Sequence, residues 1–502
     1  MKTTSPSSYD EMLNSDGSVR SAYAGYCQWY DEQPPDLLRR KGSEAEAFFR
    51  RTGITFNVYG NEDAEERLIP FDMVPRIITA QQWRKLSRGI EQRVRALNAF
   101  LHDLYHRQEI VRSGRLPARL LKGNVAFLPE MVGFTPPGGV YTHIVGIDLV
   151  RTGEDDFMVL EDNARTPSGV SYMLENRETM MAMFPELFTR VRVREVSDYP
   201  RRLARSLAAC APPACDGKKP VVAVLTPGIY NSAYFEHAFL ADQMGAELVE
   251  GSDLRVENGR IAMRTTCGYE PIDVLYRRVD DEYLDPLTFN PNSVLGVSGI
   301  MDVYRAGGIT IANAPGTGIC DDKAIYSFMP EIVEFYTGEK PILQNVPTWR
   351  CAEPESLQYV LDNLAELVVK EVHGSGGYGM LIGPTSSKKE LAAFEAKPRQ
   401  AGKLHRAADA LAFDRAYPDQ GGAGATPRGL APVRAGQPQR DRHHAGRPHA
   451  RGSEEGFARG ELVAGRRDQG QLGTGRLICW DGLQTAFSGC SATSSGPRTS
   501  LA

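Results

Sequence analysis

No apolar run in this 502-residue chain approaches the ~18 residues that a membrane-spanning helix requires, so no helical membrane partner is expected. The opening stretch, MKTTSPSSYDEMLNSDGSVR, has none of the apolar character of a secretory leader. Cysteine is sparse and unpatterned. Eight are scattered without a C-x-x-C pair, and the nearest two, Cys210 and Cys215, enclose APPA, which is not a metal-ligand spacing. Reduced thiols in a cytoplasmic protein are the expectation. No Ser-His-Asp or Cys-His constellation stands out, so chemistry through a protein nucleophile is not expected.

One region is short of several residue types at once. No lysine follows Lys403, no asparagine follows Asn363, and isoleucine is missing between Ile382 and Ile478. Residues 396–502 hold 14 Arg and 2 Lys against 9 acidic residues, whereas the whole chain carries a net charge of −5. A basic tail of this kind can attract nucleic acid. However, Gly, Arg, Ala, Pro and Gln fill the segment with neither strand alternation nor helical periodicity. Arginine without lysine, together with the missing asparagine, points to out-of-frame translation of a GC-rich gene, and nucleic acid is not the expected partner.

The rest of the chain is patterned. Residues 1–130 read as mostly helical, with Trp83, Leu86, Ile90, Val94, Leu97, Leu101 and Leu104 at helical spacing. Residues 131–216 contain two strand candidates, THIVGIDLVR and FMVLEDNA, joined by the polar turn TGEDD and expected to pair antiparallel. From residue 217 to 320 the order becomes strand, helix, strand. KKPVVAVLTPG leads to SAYFEHAFLADQMG, which Gly245 should close, and then to AELVE; PIDVLYRRV and ITIANAP continue the series. Residues 321–395 open with a single expected helix, DDKAIYSFMPEIVEFY, with Asp321 as its N-cap, and later carry VVKEVHGSGGYGMLIG, with a further helix expected from SKKELAAFEA.

In that last string Gly374, Gly376 and Gly379 fit G-x-G-x-x-G. A dinucleotide fold needs a helix directly after such glycines. Here Met380, Leu381 and Ile382 read as a second strand, so the glycines lie at a hairpin tip and an NAD-binding oxidoreductase is disfavoured. A Walker A loop is excluded because no Gly-Lys-Ser/Thr follows. A glycine hairpin can instead fold over phosphates, since its backbone N–H groups approach without Cβ atoms in the way. Lys370, on the strand feeding the loop, can reach phosphate oxygens, and His373 is read as an ordinary loop residue.

The carboxylates support a phosphate site. Glu161 and Asn163 are two apart on a strand and share a face, while Asp162 faces the other way. If Asp148 lies opposite them on the paired strand, three oxygen ligands converge, the donor type that Mg²⁺ takes alongside water and substrate phosphates. Lys323, after the turn NAPGTGICDD, is a second candidate cation. Arg278 is a pocket candidate whose plainer reading is a salt bridge.

Together these residues resemble the circularly permuted ATP-grasp proteins of type 2, related in chemistry to glutathionylspermidine synthase-like amide ligases. The resemblance is carried by HIVGIDLVR, LEDNARTPSGVSYMLENR, VLTPGIYNSAYFEHAFLADQMGAELVEG, NAPGTGICDDKAIYSFMP and VVKEVHGSGGYGML, over roughly residues 40–395. It implies an α/β fold: a permuted ATP-grasp with a Rossmann-like pre-ATP-grasp unit at 217–320, metal-ligand strands at 131–216, and a glycine-loop lid at 321–395. Residues 396–502 are expected to be without stable structure. ATP and Mg²⁺ are the implied cofactors. Asp148, Glu161 and Asn163 would hold the metal, and Lys323 and Lys370 would contact phosphates. Gly374, Ser375, Gly376, Gly377 and Gly379 would cover the triphosphate. Arg165 and Ser168 of ARTPSG would lie near the acyl or phosphate groups. The implied activity joins a small-molecule or peptide-like carboxylate to an amine through an acyl phosphate. The arginine-bearing strand and second glycine-rich segment of relatives are not recognisable after residue 395, so weak or absent turnover is expected of this chain. The alternative is a non-catalytic nucleotide-binding or scaffolding protein.

Overall fold

The computed structural model describes residues 9–56, 67–68, 71–371, 380–400, 410–414 and 476–478. Helices dominate the first part, as the periodicity predicts: α1 (Ala24–Asp31), α2 (Pro35–Thr52), α3 (Ala80–Leu104) and the short α4 (Glu109–Arg112), with one small antiparallel pair, β1 (Thr55–Phe56) and β2 (Arg67–Leu68). Thr79 starts α3 through a reciprocal capping box. Its hydroxyl accepts from the Gln82 N–H, and the Gln82 side chain accepts from the Thr79 N–H. Leu86, Ile90, Val94, Leu97, Leu101 and Leu104 are buried along this helix.

Strands β3 (Gly146–Arg151) and β4 (Phe157–Asn163) form the expected antiparallel hairpin. Helices α5 (Val170–Met183), α6 (Pro185–Arg190) and α7 (Tyr199–Ala208) follow. The next unit runs β5 (Val222–Leu225), α8 (Tyr234–Met244) and β6 (Glu247–Val249), with Gly245 at φ 65° ending the helix. An antiparallel meander of β7 (Leu254–Glu257), β8 (Arg260–Thr265) and β9 (Gly268–Ile272) is then inserted. The sequence reading left it out, although Asn258 and Gly259, both at positive φ, form the two-residue turn that signals a hairpin. Strand β10 (Val274–Arg277), helices α9 (Asp281–Leu284) and α10 (Ile300–Arg305), and strand β11 (Thr310–Ala312) complete the unit.

The single helix expected from residue 321 is two: α11 (Lys323–Tyr326) and α12 (Met329–Thr337). Pro330 has no N–H to offer the carbonyl of Tyr326, and that carbonyl accepts from the Asn345 side chain instead, at 2.7 Å. Asp322, not Asp321, is the N-cap of α11, accepting from the amides of Ala324 and Ile325. Strands β12 (Gln344–Asn345) and β13 (Thr348–Arg350), helix α13 (Pro354–Asp362), strands β14 (Leu367–Glu371) and β15 (Met380–Ile382), helix α14 (Lys388–Gln400), and strands β16 (Ala410–Asp414) and β17 (Arg476–Ile478) follow.

Three four-stranded sheets carry the architecture. The parallel sheet β11-β10-β5-β6 is the Rossmann-like unit. The sheet β12-β4-β3-β17 contains the hairpin, and the antiparallel sheet β13-β16-β14-β15 contains the strands flanking the glycine loop. β16 and β17 lie in the stretch expected to lack strands. In β16 the string ALAFD alternates small and large apolar residues, a run too short to stand out. One continuous core joins α3, the hairpin and the Rossmann-like sheet. Helix α3 approaches the Pro341–Leu343 segment so closely that a Cβ on Gly89 would lie 2.5 Å from Leu343 Cγ.

Candidate functional site

The hairpin register places Asp148 directly opposite Glu161, with Gly146 opposite Asn163. The three expected oxygen donors therefore share one region of one face. The register shifts between Asp148 and Leu149, whose partner is Val159, so Leu160 is an extra, bulged residue. The bulge lets Val159 and Asp162 both point into the core while Glu161 and Asn163 point the other way, half-buried. Asp162 is 1% exposed and makes a two-pronged ion pair with Arg93, at 2.7 Å to Nε and 2.6 Å to Nη2. Arg93 also donates to Asn345, at 2.9 Å. Asp148 is 6% exposed.

The segment from Asn313 to Tyr326 is laid along β4. Asn313 is a buried hub: its side-chain oxygen accepts from the amides of His143 and Ile144, and its nitrogen donates to the carbonyls of Ile144 and Ala164. It ties the end of β11 to the entry of β3 and the exit of β4. Asp321 accepts from the Ala164 amide at 2.6 Å and the Arg165 amide at 3.2 Å. Burial pushes its carboxyl up to about 7, against the lowering effect of those hydrogen bonds and of the Arg165 charge. Tyr326 then donates to the Val159 carbonyl at 2.5 Å. Lys323 thus stands on a helix fastened to the ligand strand at both ends. Asn313 escaped the sequence reading, and Asp321 was expected as a helix cap; GTGICDD offered two acids without telling the cap from the buried one.

The loop ARTPSG is fixed from the opposite side. Arg278 is buried and donates to the Pro167 carbonyl at 2.6 Å, to the Ser168 hydroxyl and to the Tyr276 hydroxyl at 2.9 Å, and it pairs with Glu236 at 3.3 Å. Glu236 accepts from the Gly169 amide, the Ser171 amide and the Ser171 hydroxyl. The salt-bridge reading of Arg278 is the one realised. Arg165 leaves this loop toward solvent, with Nε 3.4 Å from Asp280. Burial acts to lower its pKa and is outweighed by Asp280, Asp321, Asp281 and Glu282, so the guanidinium is held charged.

Lys370 lies on β14, opposite Met380 of β15, and the two strands expected on either side of the glycines pair antiparallel. Gly374, Ser375, Gly376, Gly377 and Gly379, with His373, lie outside the described residues. The hairpin sheet and this sheet are joined by the link from Asn345 to Thr348. One Cys–His contact did escape the sequence reading: Cys210 Sγ is 3.2 Å from His143 Nδ1. Burial pushes the thiol up to about 12 and the imidazole down to about 4, so both are neutral at pH 7 and no thiolate nucleophile results.

The donor set suits a hard cation. Two carboxylates and an amide share the face, and among the described residues no cluster of three His, Cys, Asp or Glu offers a richer site. No helix among the described residues is long and apolar enough to cross a membrane.

Comparison with known proteins gives consistent matches. The profile of the family described as circularly permuted ATP-grasp type 2 matches residues 75–427. That match runs past residue 395, where the resemblance read from sequence stopped. An uncharacterized Synechocystis protein is 47% identical over 407 residues, covering 81% of this chain and 84% of its own. An uncharacterized Mycobacterium tuberculosis protein is 48% identical over 392 residues, covering 78% and 70%. A Frankia alni protein carrying a provisional glutamate–cysteine ligase name is 42% identical over 391 residues, but the match spans only 45% of its length. Among solved structures, a glutathione synthetase-like effector from Globodera pallida in apo form aligns with a TM-score of 0.46 at 13% identity, over 76% of this chain and 82% of that one.

Proposed function

Since this chain belongs to the circularly permuted ATP-grasp type 2 family, we propose that its site is built for joining a carboxylate to an amine at the expense of ATP. The observation that carries this reading is the pairing of Asp148 with Glu161 across the hairpin, beside the anchored segment bearing Lys323. Asp148, Glu161 and Asn163 would hold Mg²⁺, which when bound neutralises phosphate charge. Lys323 and Lys370 would neutralise the remaining charge, and Gly374 to Gly379, outside the described residues, would cover the triphosphate.

In this reaction a carboxylate oxygen attacks the γ-phosphorus, the bond to the β-γ bridging oxygen breaks, and ADP leaves. The amine nitrogen then attacks the acyl carbon, phosphate departs with the C–O bond pair, and the amine proton is lost to solvent. The protein positions the reactants and supplies cationic and amide donors, so no protein nucleophile is required. Such chemistry fits the neutral state of Cys210 and His143. The provisional ligase name of the Frankia alni relative agrees in reaction class, although the chain spans less than half of that protein.

Four units divide the work in this reading: residues 131–216 supply the metal hairpin, 217–320 the Rossmann-like wall and 321–395 the lysines and lid, on the helical base of 1–130. The segment 396–502 is read as out of frame beyond some point, leaving one wall of the nucleotide site foreign to the family and turnover weak. That composition favours the second reading, a nucleotide-binding protein without catalysis. Calorimetry with Mg·ATP and a single-turnover assay for ADP release in the presence of amino-acid and peptide mixtures test both. Nucleotide binding with ADP release supports the ligase, binding alone supports the second reading, and tighter binding of NAD than of Mg·ATP refutes both.

A further inference from the structure

Gly146 stands opposite Asn163 at the end of the hairpin, and the space that a side chain would fill there is taken. A Cβ on Gly146 would lie 3.1 Å from Pro167 Cβ, 3.5 Å from Asn163 Cβ and 3.9 Å from Asn163 Nδ2. The loop after β4 therefore turns back onto the strand pair and sets buried Pro167 beside Asn163. Gly146 is not among the glycines at positive φ, so its missing side chain answers to this close approach and not to the backbone conformation.

What holds Pro167 in place comes from the Rossmann-like unit. Arg278, just past the end of β10, donates to the Pro167 carbonyl at 2.6 Å and to the Ser168 hydroxyl. Glu236, in the first turn of α8, accepts from the Gly169 amide at 2.7 Å, the Ser171 amide at 3.1 Å and the Ser171 hydroxyl at 2.8 Å. The two charged groups meet at 3.3 Å, and both are buried. Arg278 is itself tied to the parallel sheet, its amide donating to the Leu225 carbonyl at 2.7 Å.

A buried ion pair is a poor source of stability, because desolvation offsets much of the attraction. What this one supplies is direction. A planar guanidinium presents its donors at fixed angles, so the Pro167 carbonyl, the Ser168 hydroxyl and the Tyr276 hydroxyl are placed relative to one another while Glu236 orients the guanidinium. We infer that Arg278 and Glu236 are positioning residues for the ligand face. Acting through Pro167, they hold the Asn163 end of β4 against Gly146 and fix the separation of Asn163 from the Asp148–Glu161 pair. The inference rests on the part of the proposed function that gives these three donors to a cation. A face of fixed separation favours Mg²⁺, which demands short bonds and near-ideal octahedral geometry, over Ca²⁺, which accepts longer bonds and variable geometry. Loosening the clamp should cost this selectivity first.

The test follows Mn²⁺ bound to the full chain by water-proton relaxation, alone and with ADP, and then displaces it with Mg²⁺ or Ca²⁺. Arg278→Lys keeps a positive charge beside Glu236 and loses the fork. It should weaken Mg²⁺ about tenfold or more and Ca²⁺ less than about threefold, the size of effect that outer partners of metal ligands have. Ser168→Ala removes one of the two loop acceptors of Arg278 and should shift the Mg²⁺/Ca²⁺ ratio the same way by less. Gly146→Ala leaves the ion pair intact and presses on Pro167, and it should shift the ratio as Arg278→Lys does. If Arg278→Lys does not fold, the other two decide. Leu38→Ala, a core truncation in α2, should leave the ratio unchanged, since loss of stability alone does not distinguish the ions. An unchanged ratio in the clamp variants, equal weakening of both ions, or an effect of Gly146→Ala without one at Arg278 or Ser168 overturns the inference. A parent chain that binds no cation, alone or with ADP, overturns the ligand-face reading and this inference with it.

Discussion

Glu161 and Asp162 are neighbours in sequence that face opposite environments: Asp162 is sealed in the core against Arg93, and Glu161 lies on the other face of the strand opposite Asp148. Removing each carboxylate should therefore have a different consequence. Asp162→Ala leaves the Arg93 guanidinium buried and uncompensated, which costs about 3–5 kcal/mol. Glu161→Ala should change stability by less than about 1 kcal/mol while weakening Mg·ATP binding tenfold or more. Urea unfolding and calorimetry on the two variants separate the effects. A stable Asp162→Ala chain with impaired nucleotide binding would reverse the facing argued here.

This split could be read from sequence because strand alternation alone assigns Glu161 and Asn163 to one face and Asp162 to the other. The strand-helix-strand run from Val222 to Val249 and the two strands around the glycines were readable for the same reason, since each carries its own periodicity and its own stop at glycine or proline. What could not be read depends on partners far away in the chain. The Leu160 bulge is set by pairing with β3. The role of Asp321 depends on amides 156 and 157 positions earlier. The break between α11 and α12 combines the local signal of Pro330 with the remote side chain of Asn345. The buried contact between Cys210 and His143 joins residues 67 apart with no motif between them.

Lysine substitutions probe the other half of the proposed site. In the proposed reading Lys323 and Lys370 would contact phosphate oxygens, where a charge-assisted hydrogen bond contributes about 1.5–3 kcal/mol. Lys323→Ala and Lys370→Ala should each weaken Mg·ATP binding by about ten- to a hundredfold. The loss should be larger for ATP than for ADP wherever the lysine meets the γ-phosphate. Because Lys370 stands on β14 in the neighbouring sheet, an effect at both positions would require the two sheets to enclose one nucleotide. An effect at Lys323 alone would remove β14 from the site.

Asp321 should leave a signature in the pH dependence of stability. Its carboxyl lies at about 7 in the folded chain because it is buried, well above the value of about 4 for an exposed aspartate. The fold therefore holds this proton more tightly than the unfolded chain does. The resulting stabilisation is full below about pH 4 and is lost as pH rises through about 7. Asp321→Asn keeps an oxygen to accept from Ala164 and Arg165 but has no proton to lose. Relative to the parent, its unfolding free energy should rise by up to about 4 kcal/mol from pH 4 to pH 7 and then level off. Urea titrations at pH steps across this window measure the difference. A constant difference would mean that water or a cation keeps Asp321 ionised.

The C-terminal stretch allows a test at the level of the gene. Two of its segments serve as strands: β16 sits between β13 and β14, and β17 flanks β3 of the hairpin that carries Asp148 and Glu161. Both positions demand sequence that fits a sheet, yet the surrounding text has no lysine after Lys403, abundant Gly and Arg, and no sustained pattern. The family match ends at residue 427, inside this stretch. If translation has left its frame between about codons 390 and 430, another frame of the same DNA should encode lysine-bearing segments with strand alternation, including an arginine-bearing strand and a serine-containing glycine loop. Replacing the present tail with that translation should raise Mg·ATP turnover at least tenfold. It should also raise the unfolding midpoint, because two sheets would regain strands that evolved to fit them. An alternative frame that reads as equally unpatterned text, or a replacement that changes neither quantity, would make the present tail the natural partner of this fold.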